Sequence, residues 1–165
     1  MAKEKHEEGN LKKLKEEYEK LRKKHNLPDF KFMNENFAIE DIDVFETELF
    51  VRLLRKRVAE KIFFISRSLE MLTTLQSAPL FAIGIVKSFS EKEKDAIKSL
   101  YKRMAKYEIE SFGLDIQYDE DKEIEFVKSA CGDWKEISEA MTKIYHLMKA
   151  GYNKEAEKQS RGYFG

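Results

Sequence analysis

The sequence predicts an all-α protein, a single-domain bundle of about four long helices with one or two short ones. Three observations predict it. The chain has only seven glycines and two prolines in 165 residues, so few positions interrupt a helix. Charged residues make up 38% of it and apolar residues 42%, which is typical of helices with solvated faces. The stretch 43–75 contains neither glycine nor proline and carries apolar residues three and four positions apart.

The predicted helix Asp43–Leu75 is the central element of this bundle. One apolar stripe follows the helical period and consists of Phe50, Leu54, Val58, Ile62, Ile65, Leu69 and Leu72. A second stripe lies nearly opposite on a helical wheel and consists of Ile42, Phe45, Leu49 and Leu53. A helix that is apolar on two sides needs cover on two sides, so we expect this one at the centre of the bundle.

The N-terminal third is predicted as one helix and a short irregular segment. Residues 1–9 are charged and lack an apolar period, so we expect them to be frayed. The first helix is predicted from Asn10, a good N-cap, to His25. Pro28 stops it, because the residue before a proline avoids helical geometry. Residues 29–41 are predicted as a short helical turn followed by a packed connection.

The segment after the long helix is predicted to contain two further helices. Pro79 is placed to begin a short buried helix that runs to Val86. Ser90 and Glu93 have the spacing of a capping box and predict the start of a longer helix. Gly113 is predicted to end that helix as a left-handed C-cap.

The C-terminal third is predicted as a short extended segment and the last long helix. Residues 113–118 alternate apolar and polar side chains, which predicts an extended segment. The last helix opens near Asp119, continues through Gly132 without a change of apolar phase, and ends at Gly151 as its C-cap. We expect residues 152–165 to be a frayed tail, and the whole chain, 1–165, to form one helical domain.

Composition and cysteine content predict a soluble, cytoplasmic protein. Lys plus Arg and Asp plus Glu number 31 each, so net charge favours no polyanionic partner. The single cysteine, Cys131, excludes an internal disulfide and fits a reducing compartment. The N-terminus opens no apolar run, and no stretch is long and apolar enough to predict a membrane span.

Charge is distributed unevenly along the chain. Residues 34–48 hold six acids and no Lys or Arg, and residues 115–125 hold six acids and one Lys. Residues 52–67, in contrast, are basic. On a helical wheel, a basic outward face with one aromatic ring is formed by our candidate interaction residues, Arg52, Arg55, Lys56, Phe63 and Arg67. An aromatic ring among cations is one way to bind single-stranded nucleic acid. Internal pairing with the two acidic stretches is the alternative.

One segment of the long helix predicts self-association. The run Ile62-Phe63-Phe64-Ile65 is apolar on every side of the helix. If the monomer covers only two sides, Phe63 is exposed or lies in an oligomer interface. We therefore expect a homodimer through the Phe63 region.

The sequence carries no motif for catalysis, for a cofactor or for a metal. A nucleotide loop and a nucleophile elbow are both absent from it. The acid-rich run that starts at Asp115 departs from a calcium loop, with Glu120 in place of glycine and Phe126 in place of the bidentate glutamate. No histidine follows a glutamate at the i−3 spacing of di-iron bundles. We expect Cys131 to be a buried, inert thiol.

The run Phe50-Val-Arg-Leu-Leu-Arg-Lys-Arg-Val-Ala-Glu-Lys61, with Glu40-Asp-Ile-Asp43 upstream, resembles small all-helical archaeal proteins of uncharacterised function. The resemblance covers a small part of the chain and implies no activity. It agrees with the Lys/Glu-rich, cysteine-poor composition, which is typical of proteins from hot environments.

Three hypotheses about function follow. The leading one is a non-enzymatic interaction or scaffold domain that pairs with itself or another protein and contacts no membrane. The alternative is a nucleic-acid-associated protein that uses the face Arg52–Arg67 and whose binding weakens steeply with salt. The third is a helical enzyme with a pocket lined by Phe30–Ile39 and by residues 113–118.

Overall fold

The computed structural model describes the backbone of residues 2–44, 49–74 and 79–162. The regular elements of these residues are six α-helices and one 3-10 turn, Ile39–Asp41, which confirms the all-α prediction. The helices are α1 Ala2–His25, α2 Phe30–Phe37, α3 Phe50–Thr73, α4 Leu80–Lys87, α5 Glu91–Ile116 and α6 Glu120–Gly162. None of the helices in the described ranges is apolar over a stretch long enough to cross a membrane.

The chain divides into two compact units. Unit 1 comprises Met1–Lys61 and Ile109–Gly132, and unit 2 comprises Ile62–Glu108 and Asp133–Gly165. The helices α3, α5 and α6 each supply one segment to unit 1 and one to unit 2. The sequence prediction of a single domain over residues 1–165 stays a prediction.

The first helix is longer than its apolar pattern predicts. α1 begins at Ala2, so Asn10 lies inside it and is not the predicted N-cap. α1 ends at the predicted residue, and Asn26 follows with a left-handed backbone, φ 54°, which asparagine adopts more readily than most residues. The buried Tyr18 hydroxyl donates to the Pro28 carbonyl oxygen at 2.8 Å, which holds the departing chain against α1.

The helix α3 begins at Phe50, later than predicted. Ile42 is extended, with ψ 123°, and neither Asp43 nor Val44 is helical, so the predicted start at Asp43 is wrong. The amide of Asn10 explains the difference, because its Nδ2 donates to the Ile42 carbonyl oxygen at 2.9 Å and its Oδ1 accepts from the Val44 N–H at 3.0 Å. Both backbone groups are thereby paired outside a helix.

The helix α3 buries one apolar face. The buried members of the first predicted stripe are Leu54, Val58, Ile62, Ile65, Leu69 and Leu72. The second predicted stripe does not form, because Ile42 precedes the helix and Leu49 is exposed. Phe45 and Leu75 lie outside the described residues. The expectation of a helix that is covered on two sides is therefore wrong.

The start of α5 follows the sequence prediction. The Ser90 N–H donates to Glu93 Oε2 at 2.7 Å, and the Glu93 N–H donates to Ser90 Oγ at 3.3 Å. These two hydrogen bonds form the predicted capping box. Pro79 immediately precedes α4, close to its predicted place at the first helical position.

The end of α5 does not follow the prediction. α5 continues through Gly113, whose φ is not positive, to Ile116, so the predicted C-cap and the extended segment 113–118 are both wrong. Carbonyl groups in the last turn of a helix need partners outside it. Arg52 of α3 supplies one, since its Nη2 donates to the Leu114 carbonyl oxygen at 2.8 Å.

The helix α6 is uninterrupted. It passes through Gly132, as predicted, and also through Gly151, where the predicted C-cap is wrong. Residues 152–162 belong to α6, and residues 2–9 belong to α1, where the sequence predicts frayed ends. The buried Gly151 acts as a close-approach residue. A Cβ built there would lie 2.7 Å from Ser88 Oγ and 3.2 Å from the Cα of Ile85, both in unit 2.

Alanine substitutions at two glycines of α6 should therefore have opposite effects. Gly151→Ala should lower the free energy of unfolding by about 1–3 kcal/mol, because the added methyl group overpacks the contact with α4. Gly132→Ala is the matched control. No heavy atom lies within 4 Å of a Cβ at Gly132, so helix propensity should raise stability there by about 0.5–1 kcal/mol. Urea unfolding measures both, and equal losses would contradict the close approach.

Candidate functional site

Five polar side chains from α3, α5 and α6 meet inside unit 1. We call them the Arg55 cluster, and they are Arg52, Arg55, Ser111, Asp115 and Glu123. Arg55 is 1% exposed and Glu123 is 0% exposed. A buried charge is costly unless it is paired and hydrogen-bonded. The hydrogen bonds and ion pairs of the cluster therefore determine whether these buried charges stabilise the fold.

Arg55 uses three of its nitrogen atoms as hydrogen-bond donors inside the cluster. Its Nε donates to Glu123 Oε2 at 2.7 Å, and its Nη1 donates to Ser111 Oγ at 2.8 Å. Its Nη2 donates to Asp115 Oδ1 at 2.5 Å. One guanidinium group from α3 thus binds two residues of α5 and one of α6.

Arg52 completes the pairing of Glu123 from the half-buried edge of the cluster. Its Nε donates to Glu123 Oε1 at 3.2 Å, so each carboxylate oxygen accepts from a different arginine. Its guanidinium carbon lies 4.8 Å from the centre of the Tyr118 ring, a cation–π distance. Arg52 therefore screens the buried ion pair from solvent.

The protonation of the cluster follows from these contacts. Burial lowers the pKa of the Arg55 guanidinium, but hydrogen bonds to Asp115 and Glu123 outweigh burial and raise this pKa overall. The hydrogen bond from Arg55 in turn lowers the pKa of Asp115. Burial is the main cause that raises the pKa of Tyr118. Arg55 thus stays charged against the Asp115 carboxylate, and the cluster acts as a structural tie between three helices.

The structure corrects the prediction of a basic outward face. Arg55 points into unit 1, so its prediction as a surface residue is wrong, and Arg52 is half-buried and paired. The alternative of internal pairing with residues 115–125 is confirmed for both arginines. The signal was present in the sequence, as an acid-rich stretch complementary to a basic one. A helical wheel shows only the direction of a side chain and cannot show which helix covers it.

The other candidate interaction residues lie at the surface. Lys56 in unit 1 is exposed, as are Phe63 and Arg67 in unit 2. Arg67 Nη1 lies 3.1 Å from Glu70 Oε2, in an exposed ion pair. The role of these side chains in an interaction stays a prediction.

Two neighbouring phenylalanines of α3 form an exposed apolar area in unit 2. Phe64 is 67% exposed and Phe63 is 36% exposed. We call these two rings, with the adjoining ion pair Arg67–Glu70, the Phe63–Phe64 surface. Arg67 follows Phe63 and Phe64 at helical spacings of four and three residues, and its ion pair with Glu70 carries no net charge.

A second apolar surface, which the sequence analysis did not predict, lies on α5 in unit 1. We call it the α5 stripe, and it consists of Ile109, Phe112 and Ile116. Their exposed fractions are 72%, 67% and 72%, and their spacing places them on one face of the helix. The prediction ends the helix at Gly113 and so leaves Ile116 outside it. A helical wheel continued through the glycine would place Ile116 on the same face as Ile109 and Phe112.

A groove of about 490 Å³ runs beside the α5 stripe. One wall contains Glu110 and Gly113 of α5 and Gln117 just after that helix, which directly follow the three stripe residues in the chain. The other wall contains Asp119 just before α6 and Lys122, Glu125, Phe126 and Ser129 of α6. Lys122 Nζ lies 3.3 Å from Asp119 Oδ2. With three carboxylates and one ammonium group, the groove is acidic.

Potential metal ligands and the cysteine thiol are the groups to consider next, within the described residues. They contain no group of three or more His, Cys, Asp or Glu side chains that could hold a metal ion. Cys131 Sγ lies 3.4 Å from Met33 Sδ, and burial raises the pKa of the Cys131 thiol to about 12. The thiol is therefore neutral and weakly nucleophilic at physiological pH. The groove beside residues 113–118 takes its second wall from α6 and not from the predicted Phe30–Ile39.

Removing one partner of the buried ion pair should destabilise the protein strongly. Glu123→Gln keeps the shape of the side chain but leaves the buried Arg55 without its fully buried carboxylate partner, so the free energy of unfolding should fall by about 3 kcal/mol. Glu70→Gln, which breaks the exposed pair with Arg67, is the control and should cost less than about 1 kcal/mol. Urea unfolding of both variants tests this. Similar losses would show that burial does not set the strength of the Arg55 cluster.

The contact between Arg55 and Asp115 should make stability depend on acid. A pKa lowered in the native state means that Asp115 stabilises the fold above its unfolded pKa of about 3.9. This contribution is lost as pH falls through the lowered native value. Asp115→Asn should therefore be less stable than wild type at pH 7, and the gap should close at strongly acid pH. Urea unfolding across pH measures the gap, and a constant gap would contradict the assignment.

The chain matches no known protein family, no curated protein sequence and no solved structure.

Proposed function

We propose that this chain is a non-enzymatic helical interaction domain that forms a homodimer. The Phe63–Phe64 surface carries the proposal. Two adjacent aromatic rings on one helix, one of them 67% exposed, are unusual on a surface that contacts only water. Aromatic residues are enriched where proteins meet.

The charge around these rings supports a second copy as the partner. In a two-fold symmetric dimer the same surface is present on both sides, so any net charge faces itself. Arg67 and Glu70 neutralise one another at 3.1 Å. The border of the Phe63–Phe64 surface can therefore meet its own copy without like-charge repulsion.

The pairing of the basic residues argues against the nucleic-acid alternative. Arg55 is buried in the Arg55 cluster, and Arg52 is bound to Glu123 at 3.2 Å. Arg57 in unit 1 lies 3.2 Å from Glu60, and Arg67 in unit 2 lies 3.1 Å from Glu70. Carboxylates beside the exposed arginines repel phosphate groups. Protein partners are therefore the better proposal.

The proposal also includes the number of domains and the cellular location of the chain. The passage of α3, α5 and α6 through both units supports folding as one domain built mainly on the four longest helices. The single cysteine, Cys131, supports a reducing, cytoplasmic location.

Light scattering at low and high salt tests the homodimer. Wild type should have the mass of a dimer at both salts, because salt does not weaken apolar contacts as it weakens ionic ones. Phe64→Glu should be monomeric, because it would bury an unpaired carboxylate in the interface. Phe63→Glu should weaken the dimer in the same direction.

The matched control is Phe112→Glu, which places the same charge on an equally exposed phenylalanine of α5. It should stay dimeric, and circular dichroism should show that all variants remain helical. A monomeric wild type, or a Phe112→Glu variant that dissociates as Phe64→Glu does, would overturn dimerisation through the Phe63–Phe64 surface.

A further inference from the structure

The α5 stripe contains none of the residues that we assign to the proposed homodimer. Ile109, Phe112 and Ile116 are each about two-thirds exposed or more. They follow one another at spacings of three and four residues over about two helical turns. This is the pattern of anchors by which one amphipathic helix binds another protein. The stripe therefore needs an occupant of its own.

The α5 stripe alone is small for a stable interface. A stable protein–protein interface buries about 800 Å² on each partner, and even an aromatic side chain buries at most about 250 Å². A groove that adjoins the stripe can supply the remaining contact to a helix laid along it.

The groove lies where such a helix needs it. Glu110, Gly113 and Gln117 line it and directly follow the stripe residues in the chain, so it borders the stripe along its whole length. No heavy atom lies within 4 Å of a Cβ built at Gly113. The open space at this glycine leaves room for the backbone of a partner to approach α5 closely.

The charge of the groove decides the chemistry of the partner. Glu110, Asp119 and Glu125 contribute three carboxylates, against the one ammonium group of Lys122. Pairing of this face with its own copy would bring the carboxylates together and cost binding energy. Lysine and arginine side chains would instead complement them.

We propose that the α5 stripe and the acidic groove bind an amphipathic helix of another protein. This helix presents two or three large apolar side chains to Ile109, Phe112 and Ile116. It carries lysine or arginine on the border that faces Glu125. The proposal names a second surface and a second partner class, and it does not depend on the homodimer.

The test uses two labelled synthetic helical peptides and the full chain. Both peptides carry leucines at positions i, i+3 and i+7, flanked by lysines in one and by glutamates in the other. Fluorescence anisotropy should show binding of the lysine peptide and at least tenfold weaker binding of the glutamate peptide. Raising the salt concentration should weaken binding of the lysine peptide, because salt screens exposed charges.

Variants locate the binding on α5. Phe112→Ser should weaken binding of the lysine peptide at least tenfold, and Glu125→Gln should weaken it severalfold at low salt. Phe64→Ser, which removes an equally exposed ring from the other surface, should leave peptide binding unchanged. This control separates failure of the homodimer from failure of the present proposal, since Phe64 affects only the former.

Three results would overturn the proposal. The first is no saturable binding of the lysine peptide, and the second is equal binding of both peptides, which would indicate non-specific apolar contact. The third is a fall of the wild-type mass in light scattering on Phe112→Ser, which would make the α5 stripe an interface between copies of this chain.

Discussion

The buried ion pair between Arg55 and Glu123 is the interaction on which unit 1 depends. It places two opposite charges in a region that excludes water, and such charges are tolerated only when their hydrogen-bonding groups are engaged. Ser111 and Asp115 of α5 and Arg52 of α3 supply these contacts. Helices that could slide past one another across purely apolar contacts are thereby held in one register. The charge distribution of the chain thus serves the interior of unit 1 as well as its surface.

The Arg55 cluster also fixes the position of the last turns of α5, which carry exposed residues. Arg52 pairs one carbonyl group at the C-terminal end of α5, because it donates to the Leu114 carbonyl oxygen. Arg55 donates to Asp115 in the same turn. At about 100° per residue, Phe112 and Ile116 each lie about a quarter-turn around the helix from the cluster residue before them, Ser111 or Asp115. The buried cluster therefore fixes the direction in which the α5 stripe faces. A weaker cluster would let the end of α5 fray and the stripe lose its alignment.

The sequence predicts what is local and misses what depends on distant partners. The capping box at Ser90 and the continuity of the last helix at Gly132 follow from short-range patterns, and both are confirmed. The start of α3 is missed because the Asn10 amide binds the backbone at Val44. The role of Gly151 is missed because Ser88 lies against it. No pattern within a few residues carries such information.

The candidate surfaces also combine features set by the local sequence pattern with features set by distant partners. The exposure of Phe63 follows from the helical period alone, whereas the position of Arg55 depends on which acids fold against it. The charge beside each apolar surface is the reason that we propose different partners for the two surfaces. Their apolar character is alike, since Phe64 and Phe112 are equally exposed, so area alone cannot select a partner. Charge at the border can, because a neutral border tolerates its own copy, whereas an acidic groove repels its copy and attracts a basic helix. The two surfaces are thus alike in apolarity and differ in the charge beside them.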